Sequence, residues 1–340
     1  MKDVVKKIKE YDKKKIYTCS SIYNVLLAVC IIFLTEETTD SYVVMFSPEK
    51  KIVDAFNTFK AKMKEQGIKS IVIDKHTKLH RALGLSDIEN KKVIKEIITE
   101  LQVGKNDFLL INFSWNQKMV RYPASMYFKR CSNAIFIEEG ATQYLTPDEG
   151  IIYRSLKSLY GNQTGFWEME KLDSLYVQRP ERFPNIMQKR MKVLDLKNGI
   201  IMLSNERKHN LMDIFMKKED KNELYVLKNM DGIIFTQPIS EDGFVTEDEK
   251  IHIYANLTNF YSQYGRIALK IHPRDTSNYD IENINIIRGT YPSELLSILG
   301  IHFKFAIGLC TSAIESVEAD IKMNLNEYFL KELKYDLYEL

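Results

Sequence analysis

Three short segments carry residue types that could act as a general base or bind an anion. In the first, residues 135–140 (IFIEEG), an apolar stretch ends in Glu138 and Glu139 followed by a glycine. Carboxylates crowded at a partly desolvated strand end oppose each other's ionisation, which is how a carboxylate becomes a general base near neutral pH. Glu138 or Glu139 could therefore act as a general base. A solvated acidic turn is the alternative interpretation.

The second segment is residues 267–274 (IALKIHPR), another apolar stretch that ends in His272 and Pro273. A histidine that a proline fixes just past a strand could donate to a phosphate or to a leaving oxygen. Lys270 and Arg274 flank it, and they favour a protonated imidazole only where a phosphate offsets their repulsion. The pattern predicts a phosphate partner. A surface histidine in a basic turn is the alternative.

The third segment is residues 308–313 (GLCTSA), which predicts a strand leading into a helix that starts with Thr311 and Ser312. Backbone N–H groups and hydroxyls at such a start can bind an anion, although an ordinary helix cap has the same pattern. Upstream, Glu294 stands at another predicted helix start. From there a carboxylate could accept hydrogen bonds from the two ribose hydroxyls of a nucleotide.

These segments must be positioned by the regular elements around them. At 340 residues the chain is long enough for two domains. Apolar strands alternate with helices in both halves, which predicts a doubly wound parallel sheet in each half. The three segments then lie at the carboxyl ends of strands, and a ligand cleft is expected between the domains. The apolar run 25–34 is shorter than the about 20 residues of a membrane span and predicts a buried helix. Strands are predicted at 15–19, 42–46, 70–73, 107–113, 134–137, 199–203, 232–237, 266–271, 284–287 and 305–308.

The order of the three segments resembles the bacterial sialyltransferases, which share an acid-acid-Gly, a His-Pro and a Ser/Thr-Ser/Thr motif. The opening KIYTCSSIYNVLLA and the later FTQPISEDG are also similar to segments of those enzymes. The sequence is most similar to glycosyltransferase family 52, the lipooligosaccharide and capsule sialyltransferases, with the polysialyltransferase-type family second. The resemblance implies an α/β GT-B fold of two facing Rossmann-like domains, predicted at 1–197 and 198–320, with a helical segment at 321–340 that packs back on the first.

The resemblance also implies roles for individual residues. Glu138 would deprotonate the acceptor hydroxyl and His272 would act as acid or electrostatic partner of the leaving CMP phosphate, in an inverting displacement. A second acid-acid-Gly, residues 241–243, makes Asp242 the alternative base. The remaining donor-binding assignments are Thr311 and Ser312 for the phosphate, Glu294 for the ribose, and Gln237 and Pro273 for the lining of the donor site.

The expected partners are CMP-sialic acid and a glycan acceptor that ends in galactose or sialic acid. No cofactor or metal is expected, because the chain has no Asp-x-Asp and the donor carries a singly charged phosphodiester. The formal net charge of +2 gives no argument for nucleic acid as a partner. A cytoplasmic location, with peripheral contact at the inner membrane and a homodimer both compatible with it, completes the prediction. Two alternatives stay open: a transferase that uses another nucleotide sugar such as UDP-glucose, and a noncatalytic nucleotide- or carbohydrate-binding module.

Overall fold

The chain forms two compact units, Met1–Ile214 and Phe215–Leu340. The computed structural model describes residues 1–47, 50–73, 95–100, 102, 104, 107–113, 131–138, 171–178, 180–182, 188, 191–194, 196–309, 311 and 313–325. Each unit is built on a parallel sheet, which confirms the predicted fold class of two doubly wound α/β domains. The division between the units falls after Ile214, later in the chain than the predicted boundary after residue 197.

The first unit contains a seven-stranded parallel sheet with the order β3-β2-β1-β4-β5-β6-β7. Its strands are β1 Lys14–Cys19, β2 Ser41–Phe46, β3 Lys69–Ile73, β4 Phe108–Asn112, β5 Asn133–Ile137, β6 Leu172–Val177 and β7 Met191–Val193. Its helices are α1 Lys2–Lys9, α2 Ile22–Thr35, α3 Lys50–Glu65, α4 Leu196–Ile201 and α5 Asn205–Phe215, the last of which crosses the division.

Helix α2 shows why the opening of the chain was readable from its sequence. The Ser21 side chain accepts a hydrogen bond from the Asn24 backbone N–H, and the Asn24 side chain accepts one from the Ser21 backbone N–H, both at 3.2 Å. This reciprocal cap starts the helix, and Glu36 ends it in the left-handed conformation. Apolar residues fill the buried body between these ends, as predicted for 25–34. Across the described part of the chain, every helix is too short or too polar to span a bilayer.

Two stretches of the first unit differ from the prediction. The strand predicted at 199–203 is wrong, because residues 196–201 form helix α4. A short apolar run is ambiguous between the two states. Here Gly199 lies so close to Met1 that an added Cβ would stand 2.4 Å from the Met1 side chain, so the run packs as a helix under the N-terminal segment. Strands β6 and β7 were not predicted, because polar Asp173 and Ser174 interrupt the apolar pattern of β6.

The second unit contains a five-stranded parallel sheet with the order β10-β9-β8-β11-β12. Its strands are β8 Gly232–Phe235, β9 Ile267–Lys270, β10 Asn285–Ile287, β11 His302–Leu309 and β12 Glu318–Leu325. Its helices are α6 Lys218–Leu227, α7 Glu247–Ser262, α8 Glu294–Ile298 and α9 Ala313–Ser316. Because all the strands are parallel, the residues that follow β8, β9 and β11 lie at one edge of this sheet.

The end of the described chain also departs from the prediction. Residues 321–325, which were assigned to a helical segment, lie instead in strand β12. The reason is visible in the sequence, because apolar side chains alternate with polar ones from Ala319 to Leu325, which is the period of a strand. Residues 326–340, the rest of that predicted segment, lie outside the described residues.

Candidate functional site

His272 lies two residues past the end of β9, at the carboxyl edge of the second sheet, and is half-buried there. Its backbone N–H donates to the Thr236 hydroxyl at 2.9 Å, and its carbonyl accepts from the Asp275 N–H at 2.9 Å. The ring Nδ1 accepts from the Arg274 backbone N–H at 3.1 Å. An imidazole nitrogen that accepts carries no proton, so the proton of the neutral ring is on Nε2. The ring therefore keeps one N–H donor, Nε2–H.

The charge state of His272 is set by burial and by its neighbours. Burial, and then the nearby positive charge of Arg274, lower the pKa of His272 to about 4. In the ligand-free protein the ring is therefore neutral at pH 7.

Thr311 follows β11 at the same edge and is buried. Its backbone N–H donates to Asn324 Oδ1 at 3.1 Å, its carbonyl accepts from Asn324 Nδ2 at 2.8 Å, and its hydroxyl accepts from the Ala313 N–H at 3.2 Å. A Cβ on Gly308 would stand 2.2 Å from Thr311 Cγ2, so this turn requires a glycine there. Ser312, the second predicted hydroxyl, lies outside the described residues.

The end of strand β8 lies between these two turns. Strand β8 pairs with β9 on one side and with β11 on the other, so β9 and β11 are about 10 Å apart at the usual strand spacing. Thr236 and Gln237 follow β8, and the Gln237 backbone N–H donates to the Tyr254 hydroxyl at 2.7 Å. The structure thus places Gln237, His272 with Pro273, and Thr311 along one sheet edge.

Glu294 opens helix α8 and is 9% exposed. Burial raises the pKa of its carboxyl to about 7, although its own backbone N–H and the charge of Lys270 act in the opposite direction. Lys270 is itself buried, which lowers its pKa to about 8, and its Nζ donates to the Gly289 carbonyl at 2.9 Å. The same Nζ lies 3.9 Å from the centroid of the Tyr291 ring. Near neutral pH, Glu294 is a carboxyl poised between its two ionisation states.

The two candidate bases stand in different surroundings. Glu138 follows β5 in the first unit and is 1% exposed. Its Oε2 accepts from the Gln178 backbone N–H at 2.6 Å, and its Oε1 accepts from the Gln178 side-chain amide. That amide also donates to the Tyr23 hydroxyl at 3.3 Å. Both oxygens of Glu138 are therefore engaged below the surface. Its predicted neighbours Glu139 and Gly140 lie outside the described residues.

Asp242 belongs to the second unit and its side chain is 35% exposed. Its Oδ1 lies 2.6 Å from Arg274 Nη2, and its Oδ2 accepts from Arg274 Nη1 at 3.4 Å. Arg274 is two residues after His272, and its backbone N–H donates to His272 Nδ1. The ion pair with Arg274 therefore brings Asp242 beside the His272 turn. The structure thus groups Asp242 and His272 in one unit. It describes Glu138 as part of the other.

The groups that fix these turns were not predicted from the sequence. Thr236 and Asn324 hold the backbone of His272 and Thr311, and a buried lysine, Lys250, lies among carboxylates next to the His272 turn. The one available signal for Lys250 was its place on α7, where it shares a helix face with buried Ile253, Tyr254 and Leu257 at spacings of three, four and seven.

Comparison with known proteins agrees with the fold. Residues 38–323 match glycosyltransferase family 52, a range that includes every predicted site residue that the structure describes. An uncharacterized protein of Haemophilus influenzae is 27% identical over 241 residues, which are 68% of this chain and 74% of that protein. An α/β-galactoside α-2,3-sialyltransferase from Photobacterium phosphoreum aligns with a TM-score of 0.55 at 12% identity, over 96% of this chain and 95% of that one. At this identity the likeness shows the fold alone, that of a two-domain GT-B glycosyltransferase.

Proposed function

The chain belongs to glycosyltransferase family 52, as its motifs predicted, and from this premise we propose that it is an inverting sialyltransferase that uses CMP-sialic acid. The observation that carries the proposal is the edge of the second sheet, where the His272 turn follows β9 and the Thr311 turn follows β11, two strands about 10 Å apart with β8 between them. A nucleotide phosphate placed between them would receive a donor from each side.

His272 would stabilise the leaving group. In the displacement, the acceptor oxygen forms a bond to the anomeric carbon, the bond from that carbon to the phosphate oxygen breaks, and CMP leaves with the electron pair. A phosphate beside His272 opposes the effects that lower the pKa of the ring, so the donor itself favours protonation. The ring would then meet the developing negative charge as an imidazolium, with Nε2–H available as a hydrogen-bond donor.

Glu294 would bind the ribose of the donor. A carboxylate has two oxygens and can accept a hydrogen bond from each of two adjacent hydroxyls. Its 9% exposure and its pKa of about 7 indicate a buried acid whose ionisation costs free energy in the absence of a partner. Ribose hydroxyls that donate to it would supply that partner.

For the base, the contacts favour Asp242 over Glu138. Glu138 would have to lose the Gln178 amide before a hydroxyl could reach it, and it is 1% exposed. Asp242 is accessible and needs only to separate from Arg274. The donor's phosphate and sugar carboxylate are anions that compete for that guanidinium, so donor binding would release Asp242. Separate Glu138→Gln and Asp242→Asn variants test this. A loss of turnover in Glu138→Gln, with full turnover in Asp242→Asn, would make Glu138 the base.

We further propose that transfer needs no metal, that the acceptor is a glycan ending in galactose or sialic acid, and that the acceptor is a lipid-linked capsule or lipooligosaccharide precursor at the cytoplasmic face of the inner membrane. A donor with one phosphodiester charge can be neutralised by an imidazolium and hydroxyls, which supports the first point. Transfer that persists in EDTA, measured against a panel of free galactosides and sialosides, supports the first two proposals. Activity that appears only on adding Mg²⁺ contradicts the first.

Nucleotide binding separates this proposal from its rivals. A ligand that binds the native state at 100 times its Kd stabilises it by about 2.7 kcal/mol, which raises the unfolding midpoint. We expect CMP to raise the midpoint and UDP to leave it unchanged. The reverse order supports a transferase for another nucleotide sugar. A midpoint raised by CMP, without CMP release from CMP-sialic acid under any acceptor, supports a noncatalytic module.

A further inference from the structure

An ion cluster built around a buried lysine and a buried aspartate adjoins the His272 turn. Lys250, on α7, has a fully buried side chain, and its Nζ lies 2.8 Å from Glu241 Oε2, 2.9 Å from Asp275 Oδ1 and 3.5 Å from Glu247 Oε2. We call these four residues the Lys250 cluster. Burial alone would lower the pKa of Lys250, but hydrogen bonds from its Nζ to Glu241 and Asp275 outweigh it and raise that pKa. The lysine is therefore charged at neutral pH.

The cluster ties three chain segments together. Glu241 belongs to the loop after β8, Lys250 and Glu247 belong to α7, and Asp275 belongs to the loop after β9. Glu241 Oε1 also accepts from the Thr276 N–H at 2.6 Å. Burial acts to raise the pKa of Glu241, but the hydrogen bonds from Lys250 and Thr276 prevail and hold it at about 2. The carboxylate is thus ionised throughout the neutral range and stays paired with Lys250.

Asp275 transmits this fixed geometry to its own loop. Its Oδ1 accepts from the Ser277 N–H at 3.0 Å as well as from Lys250, and its Oδ2 accepts from the Tyr279 hydroxyl at 2.9 Å. Four hydrogen-bonding groups, counting its own backbone N–H to the His272 carbonyl, hold Asp275 in one position. A residue so constrained fixes the turn that precedes it.

The turn from 272 to 275 sets the state of the His272 ring. Because the Asp275 N–H binds the His272 carbonyl, Arg274 lies between two fixed points, and its N–H meets His272 Nδ1 at 3.1 Å. If that turn relaxes, Nδ1 loses its donor and the neutral ring is free to carry its proton on either nitrogen. A ring with its proton on Nδ1 has no hydrogen to donate from Nε2.

We infer that Lys250 is a positioning residue, which acts through Asp275 to hold the proton of His272 on Nε2. The effect of Lys250 on sialic acid transfer rests on the proposed function, whereas its effect on the tautomer of His272 does not. Lys250 binds Asp275 and not the ring, so it would act on the reaction only by fixing the tautomer of His272. Misplacing a catalytic group by about 1 Å can cost about 100-fold in rate, so the Lys250 cluster can affect turnover without contacting the substrate.

The test uses the full chain, labelled with ¹⁵N-histidine, and reads the tautomer by NMR. His272→Gln identifies the His272 signals by their loss. The variants are Lys250→Met, which keeps the length of the side chain and removes its charge, and Asp275→Asn, which keeps the shape. Lys228→Met, at an exposed position, is the matched control. If Lys250→Met does not fold, Asp275→Asn decides the question, because it leaves Lys250 paired with Glu241.

In the unaltered chain and in Lys228→Met we expect the signature of a fixed Nε2–H tautomer. In Lys250→Met and Asp275→Asn we expect averaging between the two tautomers. Folded variants that keep the fixed Nε2–H signature overturn the inference. A second readout is the split of the kinetic constants: kcat should fall by about 10- to 100-fold while the donor KM changes less than about threefold. If the tautomer shifts but the unaltered chain transfers no sialic acid, the inference holds and the proposed function fails.

Discussion

Cytidine should bind this protein about tenfold more tightly at pH 8 than at pH 6, because Glu294 must be ionised to accept hydrogen bonds from both ribose hydroxyls. In the ligand-free protein the pKa of Glu294 is raised from 4.5 to about 7, mainly by burial. With that pKa, about a tenth of the carboxyl is ionised at pH 6 and about nine tenths at pH 8. The binding-competent fraction, and with it the affinity, therefore changes by about tenfold.

The same shift fixes a free-energy scale for this side chain. A rise from 4.5 to about 7 corresponds to roughly 3 kcal/mol between the two ionisation states. Because the folded protein holds the proton more tightly than the unfolded chain, this group lowers stability as the pH rises from 4.5 through 7. The Glu294→Gln variant, which cannot ionise, should consequently unfold at a higher urea concentration than the unaltered chain at pH 8. At pH 4 the difference should vanish.

Calorimetric titration with cytidine at pH 6, 7 and 8 measures the affinity directly. Cytidine has no phosphate, so phosphate ionisation does not contribute, and the pKa of His272, about 4, lies below the range. The Glu294→Gln variant should bind cytidine weakly, with no dependence on pH. In the unaltered chain, 2′-deoxycytidine should show little of the increase in affinity that cytidine shows between pH 6 and pH 8. Constant affinity of the unaltered chain from pH 6 to pH 8, or an unchanged slope in Glu294→Gln, would refute the assignment of Glu294 to the ribose.

Three further variants test the site and its scaffold. Gly308→Ala places a Cβ 2.2 Å from Thr311 Cγ2 and so displaces the Thr311 turn. We expect the affinity for CMP to fall by about tenfold while the affinity for cytidine stays the same. Equal losses for both ligands would mean that the Thr311 turn does not bind the phosphate. Gly232→Ala brings a Cβ to 2.0 Å from the Phe305 ring and should lower the free energy of unfolding in urea by about 1–3 kcal/mol, an effect that is absent if the core relaxes. His272→Gln should lower kcat by about 10²- to 10⁴-fold and leave cytidine affinity intact, and a smaller loss would remove His272 from the chemistry.

Much of the scaffold was predictable because its signals are local. The first βαβ unit has buried strands, a reciprocal helix cap at Ser21 and an apolar helix between them. Each of these follows from neighbouring residue types. The ends of β9 and β11 could be placed in the same way, so the sequence located His272 and Thr311 at strand ends, where the structure has them. Helix α4 was missed, because tertiary packing decides between states that a short apolar run leaves ambiguous. Strand β6 was missed because polar residues interrupt its apolar pattern, whereas the alternation of β12 was present in the sequence and was assigned to a helix.

The side-chain contacts of the site could not be predicted in the same way. Lys250 is a single lysine in a helix that also carries exposed charges, and its burial depends on which face of α7 covers the sheet. The tautomer of His272 depends on one backbone N–H, that of Arg274, whose position follows from the turn. Similarly, the motif around Glu138 predicted an acid at a strand end but not that Gln178, about 40 residues later, engages both of its oxygens.

The central claim is that this glycosyltransferase moves sialic acid from CMP to a sugar hydroxyl with His272 at the phosphate. The most direct test is CMP release and product formation from CMP-sialic acid, measured with a panel of galactosides and sialosides for the unaltered chain and for His272→Gln. We expect a sialylated product, with one CMP released for each transfer, and its near loss in the variant. Transfer from a UDP-sugar and none from CMP-sialic acid across the panel would contradict the claim.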